Sequence, residues 1–167
     1  NHKVLALIQA RMSLPTLALP AHSVEARLEA CHKARGLHSI GYHYYITKDG
    51  VVYPCRPESE EGAHARHYNV HSIGICYEGG LDEKGKPADT RTPAQKASLE
   101  DLLYSLVLDY PDAEILGHRD LPWVRKSCPC FDVKEWLKEI DFISRIPEQF
   151  PDIRVIRVIR VQNHPSL

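Results

Sequence analysis

Hydrophobic and polar positions follow two different periods along the chain, and the shorter period predicts the strands. Between residues 42 and 47 every second side chain points the same way, which places Tyr42 and Tyr44 on one face. Asp49-Gly50 then predicts the tight turn of a β-hairpin. Elsewhere, short apolar runs are typical of buried strands. The predicted strands are residues 4–8, 42–47, 51–53, 72–77 and 113–116.

The longer period, with apolar residues three or four positions apart, predicts helices. The clearest start is at Thr92, which forms a capping box with Gln95 and is followed by Pro93 at the first helical position. Pro111 should end this helix near residue 110. Two further helices are expected, one capped by serine and one by aspartate. The predicted helices are residues 23–35, 92–110 and 132–140.

Strands and helices alternate in this order, which predicts an α/β fold with a central mixed β-sheet flanked by helices. The 167 residues are enough to bury one core without help from disulfides. We expect a single domain over residues 1–145 and a C-terminal tail over residues 146–167. The tail repeats an arginine every third residue among Val and Ile, a period typical of neither a strand nor an ordinary helix.

Composition excludes several classes of protein. Charged residues make up 26% of the chain and the formal net charge is -1, so we expect no nucleic-acid binding. The most apolar segment, residues 4–19, is interrupted by polar residues and prolines, which argues against a membrane span and a signal peptide and leaves the compartment open. Of the five cysteines, only Cys128 and Cys130 share a loop, so a disulfide scaffold is not expected.

The candidate chemistry is concentrated after the last predicted strand. His118 follows that strand, Cys128 lies ten residues later, and Lys126 stands two positions before the cysteine. Histidine and cysteine are common zinc ligands, and a catalytic zinc needs three protein ligands and one open position for water. His118 and Cys128 are therefore candidates for two of the three ligands. Cys130 is expected to be a bystander, because a fourth protein ligand would close the site to water.

Seven short motifs along the chain strengthen this interpretation. They are Cys31-His32-Lys33-Ala34-Arg35-Gly36, Gly41-Tyr42-His43-Tyr44, Gly62-Ala63-His64-Ala65, His71-Ser72-Ile73-Gly74-Ile75, Thr92-Pro93-Ala94-Gln95, Gly117-His118-Arg119-Asp120 and Lys126-Ser127-Cys128-Pro129. Together they resemble the motifs of type 2 N-acetylmuramoyl-L-alanine amidases, a superfamily that includes phage lysozyme-type amidases and peptidoglycan recognition proteins. The resemblance covers roughly residues 23–137 and implies the amidase/peptidoglycan-recognition-protein fold.

The resemblance also implies an activity and a role for each candidate residue. His118 and Cys128 would bind Zn²⁺, and Tyr42 and Lys126 would assist catalysis by stabilising the oxyanion that forms on the attacked carbonyl. The substrate would be bacterial peptidoglycan or muropeptides, cleaved at the amide between N-acetylmuramic acid and L-alanine. His64, from its position in the family, would contact the glycan or the peptide.

One departure from the family pattern concerns the third zinc ligand, a histidine at the end of the first strand. This place is held by Gln9 or a near neighbour, and a neutral carboxamide is a poor zinc ligand. His22 or His164 are alternative ligands. Residues 9–20 could instead be altered relative to the family, for example by a reading-frame shift, or the site could be incomplete. An incomplete site would leave a peptidoglycan-binding module that is catalytically impaired.

Overall fold

The strands of the protein form one mixed sheet. The computed structural model describes residues 3–10 and 24–147, and within them the strands are β1 (Val4–Ala10), β2 (Tyr44–Ile46), β3 (Val52–Pro54), β4 (Ser72–Glu78) and β5 (Glu114–Gly117). Their order across the sheet is β3-β2-β4-β1-β5. β1 runs parallel to β4 and to β5, β2 runs parallel to β4, and β2 and β3 form the antiparallel hairpin.

Three α-helices cover this sheet in the described part of the chain, namely α1 (Val24–Ala34), α2 (Pro93–Asp109) and α3 (Val133–Glu139). The predicted α/β class with a central mixed sheet is confirmed. In these same ranges, no helix has the length and apolar character to cross a membrane. Most of the predicted tail, residues 148–167, lies outside the described residues, and Ile146 is still fully buried in the core.

The alternation of side chains along β1 separates the two faces of the sheet. Leu5 and Leu7 point into the larger core, where they pack with α2 and α3 residues such as Leu103 and Trp136. Ile8 points to the other face and packs with Leu28 of α1. Because parallel strands inside a sheet are covered on both faces, β1 reads as an almost continuous apolar run.

The start of α2 is held by the capping box that the sequence predicts. The Thr92 hydroxyl accepts a hydrogen bond from the Gln95 backbone N–H, and the Gln95 Oε1 accepts one from the Thr92 N–H. Gln95 is fully buried, and its Nε2 also donates to the carbonyls of Ile46 and Glu78 at the ends of β2 and β4. One side chain therefore caps the helix and fixes its N-terminus against the sheet.

A buried arginine joins the loop before α2 to the segment that enters α3. The guanidinium of Arg91 donates two hydrogen bonds to the carboxylate of Asp89, and its carbon lies 3.2 Å from the centroid of the Phe131 ring and 4.7 Å from that of Trp136. The hydrogen bonds and charge of Arg91 lower the pKa of Asp89 despite its partial burial, which alone would raise it. This contact fixes Phe131, which lies three residues after Cys128.

Candidate active site

The candidate site lies at the carboxyl ends of β1 and β5, where parallel α/β sheets commonly place their functional groups. His118 follows β5 directly and begins a single 3-10 turn, His118–Asp120. The Asp120 carboxylate accepts a hydrogen bond from the Gly117 N–H, and the Arg119 N–H donates to the carbonyl of Cys128 at 2.7 Å. This last bond closes the loop of residues 118–128 at its base. His118 and Cys128 therefore stand at the two ends of the loop, at a narrow opening that we call the loop neck.

Cys128 is held through its own sulfur and through the residue that follows it. The side chain is buried, and its Sγ accepts a hydrogen bond from the Gln9 backbone N–H at 3.2 Å. On the other side, the Tyr77 hydroxyl donates to the carbonyl of Pro129 at 2.6 Å, which ties the loop to β4. The backbone N–H therefore orients the sulfur, the atom through which a cysteine binds a metal.

Burial and the positive charge of Lys126 lower the pKa of His118. The imidazole is therefore neutral near pH 7, the form in which histidine acts as a metal ligand. Lys126 itself is exposed to solvent on the same loop. Its ammonium group is close enough to act on His118.

Ile8, rather than Gln9, points into the site at the end of β1. Leu7 pairs with Gly117, so Ile8 and His118 each follow directly on the last paired residues of β1 and β5. Ile8 packs in one cluster with Cys128, whereas the Gln9 side chain turns to the opposite face and lies against Gly80. The expected place of the third ligand, assigned to Gln9 or a near neighbour, is therefore held by an isoleucine, because the strand places alternate residues on opposite faces.

The described residues offer the right kinds of zinc ligand but too few of them. His118 and Cys128 are suitable ligands, and an isoleucine offers no lone pair. Within residues 3–10 and 24–147, no three His, Cys, Asp or Glu side chains form a group that could hold a metal ion. The alternative ligands His22 and His164 lie outside the described residues.

Tyr42 reaches the same cluster from the segment before β2. It packs with Ile8 and Cys128, and its hydroxyl is hydrogen-bonded to the sulfur of Cys76. The Cys76 sulfur and burial raise the pKa of Tyr42 well above its usual range, so the phenol keeps its proton near pH 7. A protonated phenol in this position is a hydrogen-bond donor.

The prediction that Tyr42 shares a face with Tyr44 is wrong. Tyr42 packs against the site, whereas Tyr44 packs against the larger core. The strand begins at Tyr44, and the chain before it is held by His43, whose N–H donates to the Gly74 carbonyl and whose Nδ1 accepts the Gly74 N–H, each at 3.0 Å. These two hydrogen bonds replace the regular pleat, so the alternation of period two does not extend to Tyr42.

His64 lies beside the site, with its ring directly over Gly74. A side chain at Gly74 would collide with this ring, because a Cβ there would approach the ring carbons to 2.5 Å. Both ring nitrogens are buried. Burial, together with the neighbouring His43 and His118, lowers the pKa of His64 to about 3. His64 is thus a buried, neutral imidazole next to His118.

The structure therefore gathers the five candidate residues, His118, Cys128, Tyr42, Lys126 and His64, around the ends of β1 and β5, and their roles stay predictions. Two participants were missed in the sequence, namely Cys76, the partner of Tyr42, and Ile8. Both would have needed the strand order as well as the strand positions, because only the pairing of β1 with β4 places Ile8 opposite Cys76.

The fold and the site define a mixed-sheet α/β protein of the amidase type, and comparisons with known proteins identify its family. A family model described as N-acetylmuramoyl-L-alanine amidase matches residues 14–131. The endolysin of Escherichia phage T7 is 39% identical over 126 residues, which cover 75% of this chain and 82% of that protein. The chain therefore belongs to the N-acetylmuramoyl-L-alanine amidase family, and its enzyme class is that of an amidase.

Solved structures agree with this assignment. The N-acetylmuramoyl-L-alanine amidase LysC from Clostridium intestinale superposes with a TM-score of 0.66 and 29% identity, over 84% of this chain and 86% of that one. The wild-type Drosophila peptidoglycan recognition protein PGRP-LB gives a TM-score of 0.59 at 23% identity, over 77% of this chain and 74% of that one, which supports the fold alone. The predicted superfamily is confirmed.

Proposed function

We propose that this protein hydrolyses the amide bond between N-acetylmuramic acid and L-alanine in bacterial peptidoglycan and muropeptides, and that it does so with a zinc ion bound by His118 and Cys128. The observation that carries the proposal is the loop neck that joins these two residues, with the Cys128 sulfur held by the Gln9 N–H and a neutral His118 beside it. A thiolate and a neutral imidazole are the donors that zinc prefers.

The residues around the neck have distinct tasks in this proposal. When the amide carbonyl is attacked, negative charge develops on its oxygen, and preorganised donors near that oxygen lower the barrier. The Lys126 ammonium supplies a full positive charge from the exposed side of the loop. The phenol of Tyr42 keeps its proton and supplies a neutral donor from the buried side. His64, a neutral imidazole beside His118, is the residue proposed to contact the bound substrate.

The test combines metal content with hydrolysis. Zinc per protein molecule is measured by elemental analysis, and release of stem peptide from purified cell wall is followed in parallel for the wild type and for Cys128→Ala. We expect the variant to lose zinc and to cleave at least roughly 100-fold more slowly, since both the ligand and the charge it carries are removed. The matched control is Cys130→Ala in the same loop, which should retain both properties. Unchanged hydrolysis in Cys128→Ala would refute the metal mechanism.

A second candidate function is a peptidoglycan-binding module with impaired turnover. The observation that favours it is Ile8, which stands where the third zinc ligand is expected (the third corner of the site). A zinc ion with only two protein ligands is held weakly. This candidate requires muropeptide binding that is the same with and without a chelator, and no release of peptide at any zinc concentration. The metal-content measurement above separates the two functions, because only the first requires zinc to accompany activity.

A further inference from the structure

Trp123 is exposed in a way that neither packing nor backbone preference explains. Its side chain is 92% exposed, against 60% for Val70 and 44% for Val51, the other large hydrophobic residues that are exposed in the described ranges. Its backbone φ is 70°, in the left-handed region where a bulky side chain is an outlier. A strained residue that gains nothing from burial points to a role outside the folding of the chain.

The two residues around Trp123 fix its position. Leu121 is buried and Val124 is partly buried, and both pack in one cluster with Ala65 and Tyr68. The Val124 N–H donates to the Leu121 carbonyl at 3.3 Å, which closes a tight turn with Trp123 inside it. The turn is therefore anchored on both sides, and the indole stands out from a fixed base.

This base lies at the rim of the candidate site. The loop that carries Trp123 begins at His118 and ends at Cys128, and Lys126 is three positions further along. The cluster under the turn contains Ala65, which follows directly on His64. Trp123 thus stands on the loop between the two candidate ligands, above a cluster that includes the neighbour of His64.

We propose that Trp123 is a stacking platform for a sugar ring of the glycan strand, and that it holds polymeric peptidoglycan at the rim of the site. A pyranose ring presents a face of C–H groups, and a flat indole offers a large apolar surface with little conformational freedom to lose. The left-handed turn keeps the indole away from its own neighbours and open to a ligand. The inference rests on the proposed function, because it takes the glycan of the same substrate as the ligand.

Intrinsic fluorescence provides a direct measurement. The chain has two tryptophans, and Trp136 is buried in the core at 5% exposure, so quenching by acrylamide reports mainly on Trp123. The probes are a tetrasaccharide of N-acetylglucosamine and, separately, a free stem peptide. We expect the tetrasaccharide to protect the fluorescence from acrylamide and to shift the emission to shorter wavelength, and the peptide to do neither. A tetrasaccharide that leaves quenching unchanged at millimolar concentration would overturn the proposal.

Substitutions separate binding from a structural role. Trp123→Gly removes the indole and suits the left-handed backbone, so it should weaken retention on purified cell wall about 10-fold while the melting temperature stays the same or rises by roughly 2 °C. Trp123→Phe should keep most of the retention, and Val51→Ala, an exposed apolar position on the hairpin, should keep all of it. Unchanged retention in Trp123→Gly, or a fall in its melting temperature, would refute the stacking role.

Failure of the glycan-stacking role of Trp123 can be distinguished from failure of the proposed hydrolytic function. If the wild type binds the tetrasaccharide through Trp123 and releases no peptide from the wall, the hydrolytic function fails and the glycan platform stands. If it releases peptide and Trp123→Gly is retained on the wall like the wild type, the platform fails and the hydrolytic function stands.

Discussion

A histidine at position 8 should add a third ligand to the two that we propose for zinc, His118 and Cys128. Ile8 is 4% exposed, it follows Leu7, the partner of Gly117 in the sheet, and it packs in one cluster with Cys128. The Ile8→His side chain would therefore enter the same space as the two candidate ligands, with an imidazole in place of an aliphatic group. The expected result is a large gain in zinc affinity without any change elsewhere in the site.

The magnitude of the gain follows from the energies of zinc sites. Structural zinc sites with four ligands have apparent binding energies of about 10–16 kcal/mol, so one ligand contributes roughly 3 kcal/mol, or about 100-fold in affinity. Without metal the change should be unfavourable, because losing the burial of an isoleucine removes about 1.5–3 kcal/mol of stability. The melting temperature of Ile8→His should thus fall in a chelator by roughly 5 °C, and zinc at 100 times its Kd should restore about 2.7 kcal/mol.

The assay is a zinc titration followed by calorimetry or by competition with a chromophoric chelator, together with thermal unfolding with and without metal. The matched control is Gln9→His, which adds the same imidazole one residue further along β1 but on the opposite face, next to Gly80. It should leave zinc affinity unchanged. Equal affinities for Ile8→His and the wild type would refute the assignment of the third corner, and a gain in Gln9→His alone would show that the strand faces are exchanged.

Two further predictions concern the loop and the buried histidines. Lys126→Ala should slow peptide release by roughly 100-fold with zinc content and melting temperature unchanged, since it removes one donor to the oxyanion. The control is Arg125→Ala, which removes a neighbouring charge that has no such task. An equal loss of activity in both variants would contradict the role of Lys126. Burial and the charges of Arg56 and Lys3 lower the pKa of His43 in the folded protein. Below about pH 6.5 the unfolded chain therefore takes up the proton before the folded protein does. Each further pH unit then removes about 1.4 kcal/mol of stability until the folded-state pKa is reached. Thermal unfolding at pH 7 and pH 5 should show this loss in the wild type and a smaller one in His43→Gln, and an equal loss in both would argue against His43.

The elements of the fold were predictable where local rules decide them. The capping box at Thr92 and the proline after α2 fix that helix by side chain to backbone contacts within a few residues, and these are visible in the sequence. The placement of Tyr42 was not predictable, because the hydrogen bonds that displace it come from Gly74, more than thirty residues away along the chain. An alternation of period two predicts side-chain directions only within a regular strand. It cannot show where contacts with a distant strand end that regularity.

The sequence predicted which residues gather at the candidate site, but not which residue stands at the place of the third ligand. The reason lies in the geometry of β1. A resemblance by motif assigns the third ligand to a place along the sequence, and there Gln9 and Ile8 are equally near. The sheet separates them completely, since one residue along a strand exchanges the two faces. The backbone of Gln9 serves the site through its N–H to Cys128 while the side chain of Ile8 occupies the corner where a ligand would stand. The hydrolytic proposal and the binding-module proposal therefore share every other contact of the site, and what divides them is whether a donor from beyond the described residues reaches that corner.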